Sequence, residues 1–258
     1  MQPSVSDQRM PTFAAGSSAI AISALANRGL LDEVRGVVKF FFDRSAAHYG
    51  DMDTGAYREI VVQAQEEMNR RALPHRLADD RRVELARILG TNDIMVQTNL
   101  YLRATRPGIR NVQEHIGWHR ESFYGPDMSA SVNLWMPVIN VTAANALRYV
   151  PDSHLIPDEG LEVRQEDDSS VTRFSAGHKI GLLYAPKHIV GGVDFSTQRA
   201  LVVVPGEVAI FAGNLVHGAA ENRSDELRFS VDFRLIAADQ LKTSKFHFSS
   251  GKQYFEPL

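Results

Sequence analysis

The hydrophobic period of this chain changes at Gly90, and that change limits the fold more than any other feature. Before it, apolar residues recur at helical spacing. LLDEVRGVVKFFFDR places Leu31, Val34, Val38 and Phe41 on one face, and TGAYREIVVQAQEEMNRR does the same with Tyr57, Val61, Ala64 and Met68. Asp53 or Thr54 is the expected N-cap of the latter helix. A third helix, over roughly 78–89, ends at Gly90, a residue suited to the left-handed position after a helix. After Gly90 side chains alternate as they do along a strand. IMVQTNLYLR sets Val96, Thr98, Leu100 and Leu102 on one side and Gln97, Asn99, Tyr101 and Arg103 on the other. Strand-like runs follow at 131–138, 146–150, 199–204, 207–212, 215–220 and 226–236. Pro151-Asp152, Pro205-Gly206, Gly213-Asn214 and Asn222 to Asp225 supply turns between them. Short strands in series predict a mainly β protein with flanking helices: a jelly roll, the cupin-like double-stranded β-helix, with N-terminal helices packed on it.

At 258 residues the chain suffices for one domain with a substantial core. Its expected parts are a loose first dozen residues, a helical part over 13–90, a jelly-roll core over 91–236 and a tail over 237–258. Residues 156–198 break the strand rhythm with EDDSS, RFSAGHKIG and KHIVGG and are read as a lid-like insertion. The tail, KTSKFHFSSGKQYFEPL, is aromatic for a terminus and is expected to dock on the body or on a second subunit, which leaves a homo-oligomer open, with burial in its own core as the alternative. A net charge of −3 without a basic run gives no electrostatic footprint for nucleic acid. The apolar run from Ala19 to Ala26 is too short to span a bilayer, so a cytoplasmic protein is expected. With no cysteine, any metal must be held by His, Asp or Glu.

GWHRESFYG (117–125) contains the candidate ligands. In an extended chain His119 and Glu121 point to one side and Arg120 to the other. His217 lies in a short strand between two turns; beside the His119 strand it completes a set of two histidines and one carboxylate. Such a facial set leaves positions open on Fe(II) for O2 and a bidentate organic acid. In ELRFSVDFRLI, Leu227, Phe229, Val231, Phe233 and Leu235 alternate with Arg228, Ser230, Asp232 and Arg234. The polar face is either solvent-exposed or turned into a polar interior. In the second case Arg228 presents its guanidinium fork to a carboxylate and Ser230 adds a hydroxyl.

Three stretches in this order resemble the phytanoyl-CoA dioxygenase-like branch of the Fe(II)/2-oxoglutarate oxygenases, over about residues 94–236. WHRESFYG is similar to the family's His-x-Asp/Glu motif. NLWMPVINVTAANALRYVPDSH is similar to a passage ending Val-Pro-Gly-Ser-His, with Asp152 in place of the usual glycine. VVPGEVAIFAGNLVHGAAENRSDELRFS is similar to the segment holding the distal histidine and, eleven residues later, the oxoacid arginine. The resemblance implies that His119, Glu121 and His217 bind Fe(II) and that Arg228 and Ser230 hold the distal carboxylate of 2-oxoglutarate. It adds Gln97 and Asn99 as further contacts to cosubstrate or substrate. The implied cofactors are Fe(II), 2-oxoglutarate and O2, with succinate and CO2 released.

Halogenating relatives carry a small residue where this chain has Glu121, so the resemblance implies hydroxylation, or a related desaturation or cyclisation. The expected substrate is a small polar molecule, a free amino acid or natural-product intermediate; an acyl-CoA is less favoured because no basic cluster stands ready for its phosphates. His115, Arg120, Trp135, Arg148 and Arg234 are the substrate candidates, with Glu114, Arg173, His178 and Lys179 as further polar groups. For Arg234, pairing with Asp232 is the preferred alternative. Trp118, Tyr124 and Trp135 either shape the pocket or pack in the core. A jelly roll that binds a ligand without catalysis, and a cupin-type metalloenzyme that uses no oxoacid, are the rival readings.

Overall fold

The computed structural model describes residues 10–14, 17–109, 116–164, 188–241 and 253–258. Five helices precede most of the strands: α1 (Gly29–Phe41), α2 (Ala46–Gly50), α3 (Thr54–Arg70), α4 (Leu73–Asp80) and α5 (Arg82–Leu89). Asp53 caps α3, its carboxylate accepting from the N–H groups of Gly55 and Ala56. Gly90 closes α5 at φ 70°, the left-handed conformation expected of it. The predicted third helix is two. The Arg81 N–H turns back to the Ala78 carbonyl, so α4 stops and α5 starts afresh at Arg82.

The main sheet has seven strands: β1 (Ile20–Ala24), β2 (Ile94–Gln97), β3 (Tyr101–Thr105), β4 (Val132–Ile139), β9 (Glu207–Ala212), β11 (Arg228–Ala237) and β12 (Phe255–Pro257). Its order is β1-β9-β4-β11-β2-β12, and β3 also pairs with β11. β1 lies inside the stretch expected to be helical. It is an edge strand antiparallel to β9, and five residues of small and branched side chains give little periodic signal. The 94–103 run is two strands rather than one. Leu235 pairs with Val96 and Asp232 with Tyr101, so three steps along β11 match five on the partner. Two extra residues bulge out, and an even insertion leaves the alternation of faces unchanged.

The second sheet is smaller. β10 (His217–Gly218) pairs with β5 (Arg148–Tyr149), which pairs with β8 (Arg199–Ala200). His119 bridges His217 on the other side of β10. The Ile189 N–H donates to the Trp118 carbonyl, which attaches the antiparallel pair of β6 (Glu162–Arg164) and β7 (His188–Gly191) to the same layer. The expected strand at 199–204 keeps its alternation, with Leu201 and Val203 buried and Val202 and Val204 exposed. Its pairing with the neighbouring strand nevertheless ends at Leu201, whose N–H reaches the Leu147 carbonyl.

Two mainly antiparallel sheets facing one another, with helices outside, make the predicted jelly roll. The helices cover the outer face of the main sheet. Val34 and Val38 of α1, Met68 of α3 and Leu85 of α5 share one core with Val231, Phe233 and Leu235 of β11. Full burial of such a side chain contributes about 1.5–3 kcal/mol. The apolar parity of β11 is therefore committed to the helices, and its polar parity must face the second sheet. The C-terminal residues dock on the body by adding β12 to the edge of β2. No described helix is long and apolar enough to cross a membrane.

Candidate metal centre and oxoacid pocket

His119 and His217 come together because their backbones form a reciprocal bridge, with N–H to O=C distances of 2.9 and 3.0 Å. Their rings lie 4.3 Å apart between centroids. Each Nδ1 is 2.8 Å from a carbonyl two residues earlier, Gly117 for His119 and Leu215 for His217. The hydrogen therefore belongs on Nδ1, and Nε2 is the free donor atom. Arg120 is extended, which preserves the i, i+2 relation, and Glu121 then opens a short 3-10 turn. The Glu121 N–H donates to the Gly213 carbonyl at 2.7 Å. Gly213 can approach only without a side chain: a Cβ there would stand 2.4 Å from Ser131 Oγ and 2.8 Å from the Met128 carbonyl.

Glu121 Oε1 lies 3.7 Å from His217 Nε2 and has no hydrogen-bond partner, although it is buried. One ligand atom from each of His119, Glu121 and His217 falls within 4.8 Å of the others. Among the described residues this is the one such cluster of possible metal ligands. Burial holds the His119 imidazole well below the usual histidine range, with the neighbouring His217 ring adding to the shift. Burial likewise lowers His217, against the pull of Glu121. Two neutral imidazoles and an unpartnered carboxylate oxygen are the donor set a divalent cation requires. The residues fit Fe(II).

These groups open on a cavity between the sheets, lined also by Trp135, Arg228, Ser230 and Arg234. Arg228 is 3% exposed and its Nε has no hydrogen-bond partner; Ser230 is fully buried and its Oγ has none. Burial pushes Arg228 down to about 10, partly offset by Asp232. A buried guanidinium and hydroxyl left unsatisfied beside a metal-ligand set fit a carboxylate brought by a ligand.

Other expectations need correction. Gln97 does not line the cavity: its Oε1 accepts from the Arg234 N–H and its Nε2 donates to Tyr254 Oη at 2.8 Å. Asn99 lies in the bulge after β2 and accepts from Asn69 Nδ2 at 2.6 Å, which ties the bulge to α3. Arg120 faces away from the site and anchors a loop, donating to the carbonyls of Ser153 and Ile156 and to Asp158. Arg148 also stays outside the cavity and donates to the Ala143 carbonyl. Arg234 pairs with Glu121 rather than with Asp232, which is held by both Nε and Nη2 of Arg103. Trp118 packs on Phe195. Glu114, His115, Arg173, His178, Lys179 and the greater part of the lid-like insertion lie outside the described residues.

Arg103, Thr105 and Asn133 line the cavity and were not singled out from the sequence. The available signal was parity. Arg103 shares the side of Gln97 and Asn99, and Thr105 continues it two residues on. Asn133 is 2% exposed, and its Nδ2 has no partner.

The family model described as phytanoyl-CoA dioxygenase (PhyH) matches residues 22–230. Among solved structures, EvdO2 from Micromonospora carbonacea var. aurantiaca matches at a TM-score of 0.60 and 16% identity, covering 90% of this chain and 94% of that one. The same protein complexed with 2-oxoglutarate matches at 0.59 and 15%, with the same coverage. EctD from S. alaskensis, in its apo form, matches at 0.52 and 15%, covering 90% and 81%. At these identities the likeness is one of fold. No curated protein matches the chain by sequence.

Proposed function

Because the chain belongs to the phytanoyl-CoA dioxygenase family, we propose that it is an Fe(II)- and 2-oxoglutarate-dependent oxygenase that hydroxylates an unactivated C–H bond of a small polar molecule. The observation that carries the reading is the pairing of two unsatisfied sets in one cavity. His119, Glu121 and His217 present free donor atoms, and Arg228 with Ser230 presents a buried, unpartnered carboxylate site. A structure of EvdO2, of the same fold, was obtained with 2-oxoglutarate. Bound Fe(II), with 2-oxoglutarate and O2, supplies the oxidation: the oxoacid leaves as succinate and CO2, and one oxygen atom enters the substrate.

The protein's own part is positional. The Nδ1 hydrogen bonds fix both imidazoles with Nε2 toward the metal position. Arg228 and Ser230 receive the distal carboxylate of the oxoacid and orient its other end toward the ligand set. Trp135, Phe211 and Leu147 give the cavity apolar walls that exclude water, while Asn133 offers a buried amide to a polar substrate group. Glu121 occupies the place a halide would need, which supports hydroxylation over halogenation. A free amino acid or a natural-product intermediate is the favoured substrate class.

The test is an anaerobic Fe(II) titration of the full chain with and without 2-oxoglutarate, read as the visible charge-transfer band of the chelate. The band is expected with the wild-type protein and is expected to vanish with His217→Ala or Arg228→Ala. No band from the wild type, together with unchanged binding in both variants, sinks the reading. Succinate release across a panel of amino acids then narrows the substrate.

A further inference from the structure

Arg234 was a candidate for binding substrate, yet its guanidinium is already caged. It is 6% exposed and its Nε donates to Glu121 Oε2 in a close ion pair. Its charged carbon stands 5.3 Å from the ring centre of Tyr124 and 5.5 Å from that of Tyr101, both within cation–π range. Gln97 Oε1 accepts from the Arg234 backbone N–H at 3.0 Å and from its Nη1 at 3.4 Å. Gln97 in turn donates to Tyr254 Oη at 2.8 Å. Tyr254 precedes β12, whose pairing with β2 is fixed by Phe255 opposite Gln97. Thr98 secures the same corner, its N–H donating to the Tyr254 carbonyl and its Oγ1 to the Gln253 carbonyl.

This chain of contacts ends on the carboxylate proposed as a metal ligand. One of its oxygens is taken by Arg234, and the other is unpartnered and faces His217 Nε2. A carboxylate that bound through both oxygens would close one of the positions a facial set must leave open for oxoacid and O2. Glutamate has one more rotatable bond than aspartate, so a tether matters more for it. Arg234 supplies a planar, pre-organised fork whose Nε holds Glu121 Oε2 while its Nη1 is held by Gln97, which removes this freedom.

We propose that Arg234 is the positioning residue that makes Glu121 a one-oxygen metal ligand, and that the C-terminal strand holds Arg234 in place through Tyr254 and Gln97. The inference rests on the metal-site reading above. It makes the far end of the chain part of the site's second layer, and it predicts that loosening the tail is felt by the metal.

The experiment uses the full chain, loaded with Co(II) for its visible ligand-field spectrum and titrated separately with Fe(II) under anaerobic conditions. Arg234→Met is expected to weaken Fe(II) binding by about 10–100-fold, as loss of an outer partner does, and to change the Co(II) bands. Arg234→Lys keeps the charge without the fork and is expected to recover part of the affinity but not the wild-type spectrum. Tyr254→Phe should weaken binding by about fivefold, the equivalent of one hydrogen bond. Wild-type affinity and bands in Arg234→Met overturn the proposal; should that variant not fold, the same result in Arg234→Lys does so. An unchanged Tyr254→Phe removes the tail from it. A wild-type protein that binds neither metal fails the oxygenase reading itself, and this inference falls with it.

Discussion

The inner face of β11 has two ends of opposite chemistry. At one end Arg228 and Ser230 are buried with unpartnered polar atoms. At the other, Asp232 is partly buried and Arg234 buried, yet each charge has its counter-charge, Arg103 for the first and Glu121 for the second. The electrostatics follow the same division. Burial pushes Arg228 down to about 10. Burial acts on Arg234 in the same sense and is the largest single influence, but Glu121 together with Tyr254 and Tyr101 outweighs it and raises Arg234 well above its ordinary value. A charge buried without a partner opposes folding, so a strand keeps one only where an incoming group will complete it. The saturated end is scaffold and the unsaturated end is a binding site.

The largest effect belongs to the saturated end. Arg103→Met strips Asp232 of both hydrogen bonds, at 2.6 and 2.9 Å, and leaves a largely enclosed carboxylate without its counter-charge. Denaturant unfolding is expected to show a loss of about 3–5 kcal/mol; a loss below about 1 kcal/mol would erase the contrast. The matching change at the other end should behave in reverse. Arg228→Met removes a buried charge that has no ion-pair partner among the described residues and only a partial offset from Asp232, so stability should hold or rise. Affinity for 2-oxoglutarate, measured by calorimetry on the metal-loaded protein, should fall by about 2–5 kcal/mol. If Arg228→Met destabilises the protein as much as Arg103→Met, the two ends are alike and the distinction fails.

Strict alternation over 226–236 made both faces of β11 legible in the sequence, because period 2 is the most local of structural signals. The same holds for His119 and Glu121, two apart on an extended segment. What escaped the sequence is nearly all pairing between distant segments. Nothing in YLRAT says that Arg103 will meet Asp232 rather than leave Arg234 to it. That choice depends on the bulge at Thr98 to Leu100, which sets the register of β3 against β11. Gln97 and Asn99 had the expected parity, but the bulge carried Asn99 onto α3 and β12 covered Gln97. Asp152 shows the opposite case. Its φ of 59° is left-handed, which accounts for the glycine usual at that point of the family's passage and for aspartate as a tolerated replacement.

The two histidines are saturated at Nδ1 and free at Nε2, and pH separates these halves. Because burial depresses both rings below the ordinary histidine value, the unfolded chain binds protons that the native state refuses. Stability of the metal-free protein is therefore full above about pH 6.5 and declines as pH falls below it, toward the depressed native values. Unfolding at about pH 7.5 and pH 6.0 should differ by on the order of 1–2 kcal/mol for the two rings together, with a shallower slope in His119→Gln. A stability that rises on acidification would mean that the rings are charged in the native state and poorly prepared for a metal.

The smallest change gives the sharpest test, because its two readouts move in opposite directions. Ser230→Ala removes a fully buried hydroxyl whose Oγ has no partner, at a position flanked by Arg103 on β3 and Pro137 on β4. An unsatisfied buried hydroxyl costs about 1–3 kcal/mol, so its removal should leave the free protein as stable or up to about 1 kcal/mol more stable. Only the bound oxoacid supplies the missing partner, so affinity for it should fall by roughly 1 kcal/mol, about fivefold. A serine serving the scaffold would show the reverse, with lower stability and unchanged affinity. A single methyl-for-hydroxymethyl exchange thus decides to which end of β11 Ser230 belongs.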